Sequence, residues 1–123
     1  MTALVDTHVL AWLIGQPDRL SRTARTFVDN ADSLFVSAVT AFEFDDLARR
    51  GRFPGAATFD FVGDALQLSV LDLPPDFWRA AARLPQIHRD PVDRMTVAHA
   101  MHLDLPLVTA DRKIRDYPIR VIW

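Results

Sequence analysis

Four acidic residues lie far apart in the chain, and each sits where a regular element should begin or end: Asp6, Glu43, Asp93 and Asp111. Asp6 closes the apolar run "TALVD". Glu43 is the only glutamate among 16 acidic residues, and it falls early in a helix that follows "SLFVSAV". Asp93 falls in the first turn of a helix opened by Asp90-Pro91. Asp111 comes two residues after Thr109, at the end of "LPLVTA". Carboxylates gathered from such positions suit a hard cation, because Mg²⁺ and Mn²⁺ take oxygen ligands and keep room for water and substrate phosphate oxygens. The matching chemistry is metal-assisted phosphodiester hydrolysis, in which the ion activates water and stabilises the leaving oxygen. Thr7 and Ser37 also lie at strand ends, where a hydroxyl could hold a water of the ion.

Each acid has an ordinary explanation as well. Carboxylates favour helix N-termini because of the macrodipole. Thr40-x-x-Glu43 reads as a capping box, Asp90-x-x-Asp93 as a looser one, and Asp6 could cap the helix after it. Against this, Glu43 shares a helical face with Leu47, and Asp93 shares one with Val97 and Ala100, so both acids line inward stripes. One capped acid is unremarkable. Four acids on one edge need a counter-charge, or their pKa values must rise.

The elements that must position them alternate along the chain. Strands are expected over 2–6, 33–39, 68–73, 105–110 and in the closing "IRVIW". Helices are expected in "THVLAWLI", after Ser21, from Thr40 to about Arg50, near 55–66, after Pro75, and from Asp90-Pro91 to about Leu103. "DRKIRDYP" reads as a turn or short helix. The strands are continuous apolar runs rather than alternating ones, the pattern of a parallel sheet covered on both faces. The fold class is therefore α/β, a three-layer α/β/α sandwich with a mainly parallel five-stranded sheet, in one domain spanning 1–123. In such sheets ligands bind beyond the carboxyl ends of the strands, which is where the four acids fall.

Composition narrows the classes. Half of the 123 residues are hydrophobic and 24% are charged, a globular balance. There are no cysteines, which excludes disulfides, thiolate zinc sites and cysteine nucleophiles and fits a reducing cytoplasm. The apolar N-terminus lacks a basic leader region, and no run has the length of a membrane span. A net charge of -2 does not announce a nucleic-acid binder. If a metal neutralised the four acids, however, the remainder would be slightly positive. All basic residues but Lys113 are arginine, which suits phosphate and carboxylate recognition. Arg49, Arg50 and Arg52 could meet phosphates or acidic partner groups, although basic residues also favour helix C-termini. Arg94 and Arg112 each follow a site acid and could balance its charge or contact phosphate. The four histidines read as polar-face or packing residues. Phe42, Phe44, Phe59 and Phe61 are mostly core by residue type, although they make helices 40–50 and 55–66 unusually aromatic.

The stretches "LVDTHVLAW", "SAVTAFEFDDLARRGRF", "HRDPVDRMTVAHA" and "LVTADRKIRDY" resemble the successive acidic motifs of PIN-domain proteins, specifically VapC-type toxin ribonucleases of toxin–antitoxin pairs. The resemblance covers essentially the whole chain. It implies a compact α/β/α sandwich, Mg²⁺- or Mn²⁺-dependent endoribonuclease activity, usual homodimerisation, and inhibition by a small VapB-type antitoxin that wraps the toxin. Asp6, Glu43 and Asp93 match the family's core acids, Asp111 the more variable fourth, and Thr109 a hydroxyl beside the site. The crowded "EFDD" departs from the family pattern. Two rivals stay open: a PIN-like module without catalysis, and a receiver-like signalling domain, which would need a phosphorylatable Asp ending the third strand where this chain has "LDLPP".

Overall fold

The computed structural model describes residues 1–53 and 58–123. Five parallel strands form one sheet in the order β3-β2-β1-β4-β5. They are β1 (Thr2–Val5), β2 (Ser33–Ser37), β3 (Ser69–Leu71), β4 (Leu107–Val108) and β5 (Val121–Ile122). The helices are α1 (Thr7–Gly15), α2 (Arg22–Asn30), α3 (Ala38–Arg49), α4 (Phe59–Ala65), α5 (Trp78–Ala82) and α6 (Pro91–Leu103), and Arg112–Asp116 forms a 3-10 turn. The expected α/β sandwich is what the chain adopts. Each strand is shorter than its apolar run: Asp6 serves as the cap of α1, and Ala38 and Val39 already belong to α3.

Strand periodicity sorts the core into two. Ala3, Val5, Val36, Val108 and Ile122 face a cluster with Val9, Leu10, Phe27, Phe44 and Val62. Leu4 and Leu107 point the other way, to Phe77, Leu84, Val97, Ala98, Ala100, Ile114 and Tyr117. Alternate residues of one strand thus feed opposite layers. Leu4, Val5, Leu107 and Val108 are wholly buried, as central parallel strands require.

Helix starts follow local chemistry. The Ser21 hydroxyl accepts the Ala24 amide at 3.1 Å and opens α2. Asp90 accepts the Val92 and Asp93 amides at 2.8 and 3.2 Å, and Pro91 takes the first position of α6. One expected start is corrected. α3 begins at Ala38, capped by Ser37, whose hydroxyl accepts the Val39 amide at 3.3 Å. Thr40 therefore lies inside the first turn, so Thr40 and Glu43 form no capping box. Ser37 thus serves as a cap, its hydroxyl accepting from Val39. Residues 55–57 of the helix expected near 55–66 lie outside the described residues, and α4 begins at Phe59.

At its other end, α3 is followed by Gly51, with φ +73°, a left-handed position suited to glycine. α6 closes instead on Asp104 in the same region, at φ 51°.

Candidate functional site

The sheet order reverses between β1 and β4. Parallel α/β sheets open a crevice at such a point, beyond the carboxyl ends of the strands. The Asp6 amide donates to the Val108 carbonyl at 3.0 Å, so the end of β1 is stitched to the end of β4. That places Thr109 against Asp6. The Thr109 hydroxyl donates to Asp6 Oδ2 at 2.8 Å. A hydroxyl has one proton, so it meets the Asp111 amide, 3.1 Å away, as an acceptor. One buried threonine thereby fixes two acids. Asp6 Oδ1 accepts the Thr7 amide at 2.7 Å, as the N-cap of α1. Asp111 Oδ1 accepts the Lys113 amide at 2.9 Å and caps the 3-10 turn.

Glu43 and Asp93 arrive on two helices that touch. The Thr96 hydroxyl donates to the Val92 carbonyl at 3.0 Å, which spends its proton. Thr40, 3.3 Å from it, must then donate to Thr96. This buried threonine pair pins α3 to α6 one turn from each acid. Behind Asp93, Val97 and Ala100 are wholly buried, as an inward stripe requires.

The electrostatics are those of a site short of positive charge. Among the described residues no Arg or Lys pairs with Asp6, Glu43, Asp93 or Asp111. Burial pushes the Asp93 carboxyl up to about 8, and Asp6, Asp90, Glu43 and Asp111 add to the rise. Burial also raises Asp6, against the bonds from Thr109 and Thr7 that favour its charged form. Glu43 is raised by burial, with the nearby Thr7 hydroxyl partly offsetting it and Asp90 and Asp6 adding to it. The Thr7 hydroxyl is buried and near enough to Glu43 to favour its charged form, yet it is in hydrogen-bond geometry with no described residue. An all-carboxylate donor set, raised pKa values and an orphaned hydroxyl beside them together fit a hard divalent cation.

The structure adds one residue that the sequence did not single out. His88 Nε2 lies 2.6 Å from Asp111 Oδ2 and 3.2 Å from Asp93 Oδ2. Donor atoms of His88, Asp93 and Asp111 all lie within 4.8 Å of one another. Reading His88 as a polar-face or packing residue is corrected: the loop before α6 folds its ring onto the acids. The available signal was its place two residues before the Asp90 cap, where a side chain can bond back to the turn. His99 and His102 do pack, both on Phe77.

The arginines divide. Arg49 and Arg50 pair with Asp45 and Asp46 on the exposed side of α3, at 2.5 and 3.2 Å. Asp45 also accepts the Phe59 amide at 3.0 Å, tying α4 to α3. The Arg94 guanidinium donates to the Ala81 carbonyl at 2.8 Å, so it joins α6 to α5. Arg112 is exposed on the 3-10 turn. Arg52 lines a cleft of about 520 Å³ with Glu43, Asp90, His8, Trp12, Arg19 and Phe53. Arg19 stacks over the Trp12 ring at 4.4 Å, and His8 meets Phe53 edge-on at 5.8 Å.

Comparisons with known proteins agree with this picture. The PIN domain profile matches residues 3–119. The chain is 33% identical over 119 residues to "Ribonuclease VapC22" of Mycobacterium tuberculosis, covering 94% of this chain and 92% of that protein. Among solved structures it is similar to VapBC2 from Rickettsia felis bound to a promoter DNA fragment, with TM-score 0.70 and 15% identity, covering 98% of this chain and 97% of that one. A toxin–antitoxin complex from Klebsiella pneumoniae gives TM-score 0.70 and 20% identity, covering 98% and 96%. VapC20 of Mycobacterium tuberculosis, a Sarcin-Ricin loop cleaving toxin, gives 0.69 and 17%, covering 94% and 93%.

Proposed function

The chain belongs to the PIN-domain family, and from that premise we propose that it is an Mg²⁺- or Mn²⁺-dependent endoribonuclease acting as the toxin of a toxin–antitoxin pair. The observation that carries the reading is the set of acids at the carboxyl end of the sheet without an arginine or lysine partner among the described residues. Asp6, Glu43, Asp93 and Asp111 would hold the ion. When bound, a divalent ion supplies positive charge to a phosphodiester and makes water a competent nucleophile near neutral pH. The chain's own residues do the positioning. Thr109 fixes the Asp6 carboxylate and the Asp111 backbone at the β1–β4 crevice. The Thr40–Thr96 pair fixes the helices that carry Glu43 and Asp93. The cleft beside Glu43 mixes arginine with aromatic side chains, a lining that suits an unpaired RNA strand.

The same reading covers partners. Relatives of this fold are toxin–antitoxin complexes. Phe42 and Phe61, exposed on α3 and α4, offer apolar contacts to an antitoxin segment or a second copy. A VapB-type antitoxin, a homodimer and a cytoplasmic setting belong to the proposal, as does action as one domain. Among the described residues no helix is long and apolar enough to cross a membrane.

The test is cleavage of a mixed RNA pool by purified protein with Mg²⁺, Mn²⁺ or a chelator, alongside Asp6→Asn. Cleavage that needs the ion and disappears in the variant is expected. Cleavage that persists in chelator, or in Asp6→Asn, would overturn the assignment.

A further inference from the structure

His88 is held on three sides. Its backbone amide donates to the Tyr117 hydroxyl at 2.9 Å. Its ring Nδ1 accepts the Asp90 amide at 3.0 Å. Its Nε2 lies between Asp111 Oδ2, at 2.6 Å, and Asp93 Oδ2, at 3.2 Å. The side chain is only 11% exposed. At first sight the three groups look like a ready-made cation site with one nitrogen and two oxygen ligands.

The Asp90 amide argues otherwise. A neutral imidazole carries one N–H and one lone pair in the ring plane. A backbone N–H always donates, so Nδ1 must present its lone pair to Asp90. The ring proton is then on Nε2, the atom that faces the two carboxylates. In that tautomer Nε2 has no lone pair to give a metal. It is a donor: its N–H bonds Asp111 Oδ2 and brings the positive end of its dipole to within 3.2 Å of Asp93 Oδ2, which favours the two side chains lying together.

We propose that His88 is a positioning residue of the acidic centre: as the Nε2–H tautomer it clamps the Asp93 and Asp111 carboxylates side by side, and it is not a ligand of the ion. This rests on the proposed metal-dependent reading of the same site. The clamp explains why the ring is anchored at both its backbone and Nδ1. A nitrogen aimed at two carboxylates is useful only if it cannot turn away. It also links three segments, since Tyr117 follows the 3-10 turn that Asp111 caps, and Asp90 caps the helix that carries Asp93. Groups that orient metal-binding side chains without touching the metal typically alter affinity by about 10- to 100-fold.

Two measurements test this. In the metal-free protein, long-range ¹⁵N–¹H correlation spectra of the histidine rings should show His88 protonated on Nε2. An Nδ1–H ring would overturn the clamp whatever the protein does with metal. Second, Mn²⁺ binding is followed by the free-ion electron paramagnetic resonance signal in the intact protein and in His88→Ala, His88→Gln and Asp93→Asn. His88→Ala should bind Mn²⁺ about tenfold more weakly or worse. His88→Gln, whose amide N–H reaches to about the same place as Nε2, should recover most of the affinity, and circular dichroism checks that both variants are folded. Binding by His88→Ala that equals or exceeds the unmodified protein would overturn the proposal. So would histidine nitrogen coupling to the bound Mn²⁺. If the unmodified protein binds no Mn²⁺, the metal-dependent reading fails while the tautomer still decides the clamp. If it binds, Asp93→Asn does not, and His88→Ala is unchanged, only the clamp fails.

Discussion

Glu43 and Asp45 are two residues apart on α3, and the fold treats their charges in opposite ways. Asp45 looks outward. Arg49 pairs with it, the Phe59 amide donates to it, and together these hold its carboxyl below the ordinary range. Glu43 looks toward the carboxyl end of the sheet, where burial and further acids raise it. Asp46 repeats the outward case with Arg50, and Asp93 repeats the inward one, pushed up to about 8. The arginines were available on the same helix and were placed on its other side. A site is marked here by counter-charge withheld from buried and half-buried acids, which the number of acids alone would not reveal.

Substitutions that break this contrast should rank by how much of the withheld charge they touch. Asp93→Asn removes the most strongly raised acid. RNA cleavage should fall by at least about a hundredfold, and the metal-free protein should melt higher at pH 8, because a buried charge is gone. Lower melting with full cleavage would make Asp93 a structural acid. Thr109→Val keeps the shape but leaves Asp6 Oδ2 without its donor and the Asp111 amide without its acceptor. It should cost about 1–3 kcal/mol by denaturant titration and weaken Mn²⁺ binding. Glu43→Gln keeps the size and helix preference of the side chain. Since Glu43 caps nothing, the fold should be unchanged while cleavage falls, a separation read by paired melting and activity curves. Asp46→Asn breaks only an exposed pair one turn apart. Its melting temperature should stay within about 2 °C, and its cleavage should be normal.

The sequence carried the frame of this site because its signals were local. Asp6 ended an apolar run, Asp90-Pro91 announced a helix, and Asp111 followed a strand, so the sheet rule alone brought them to one edge. Three features were not legible, each for a tertiary reason. The helix start moved from Thr40 to Ser37 because β2 ends there and an earlier hydroxyl takes the cap. Thr40 was left to bond Thr96, 56 residues away. Arg94 was read beside Asp93, but successive helical residues point in different directions, and it reaches Ala81. His88 depends on the path of the loop before α6 and on Tyr117, 29 residues on, which no spacing predicts.

The central claim is that the acids at the carboxyl end lack counter-charge because a divalent ion supplies it. Thermal melting with and without Mg²⁺ at pH 5 and pH 8 tests it most directly. The Asp93 carboxyl titrates near 8 in the folded chain, against 3.8 for the free group, so the native state holds a proton that the unfolded chain releases between those values. Its contribution is therefore present below pH 3.8 and lost as pH rises toward 8, and the metal-free protein should weaken over that window. Mg²⁺ binds the deprotonated acids, so its stabilising effect should be small at pH 5 and large at pH 8. In Asp93→Asn the gain at pH 8 should largely vanish. An Mg²⁺ effect that is absent at pH 8, or equally large in Asp93→Asn, would contradict the account.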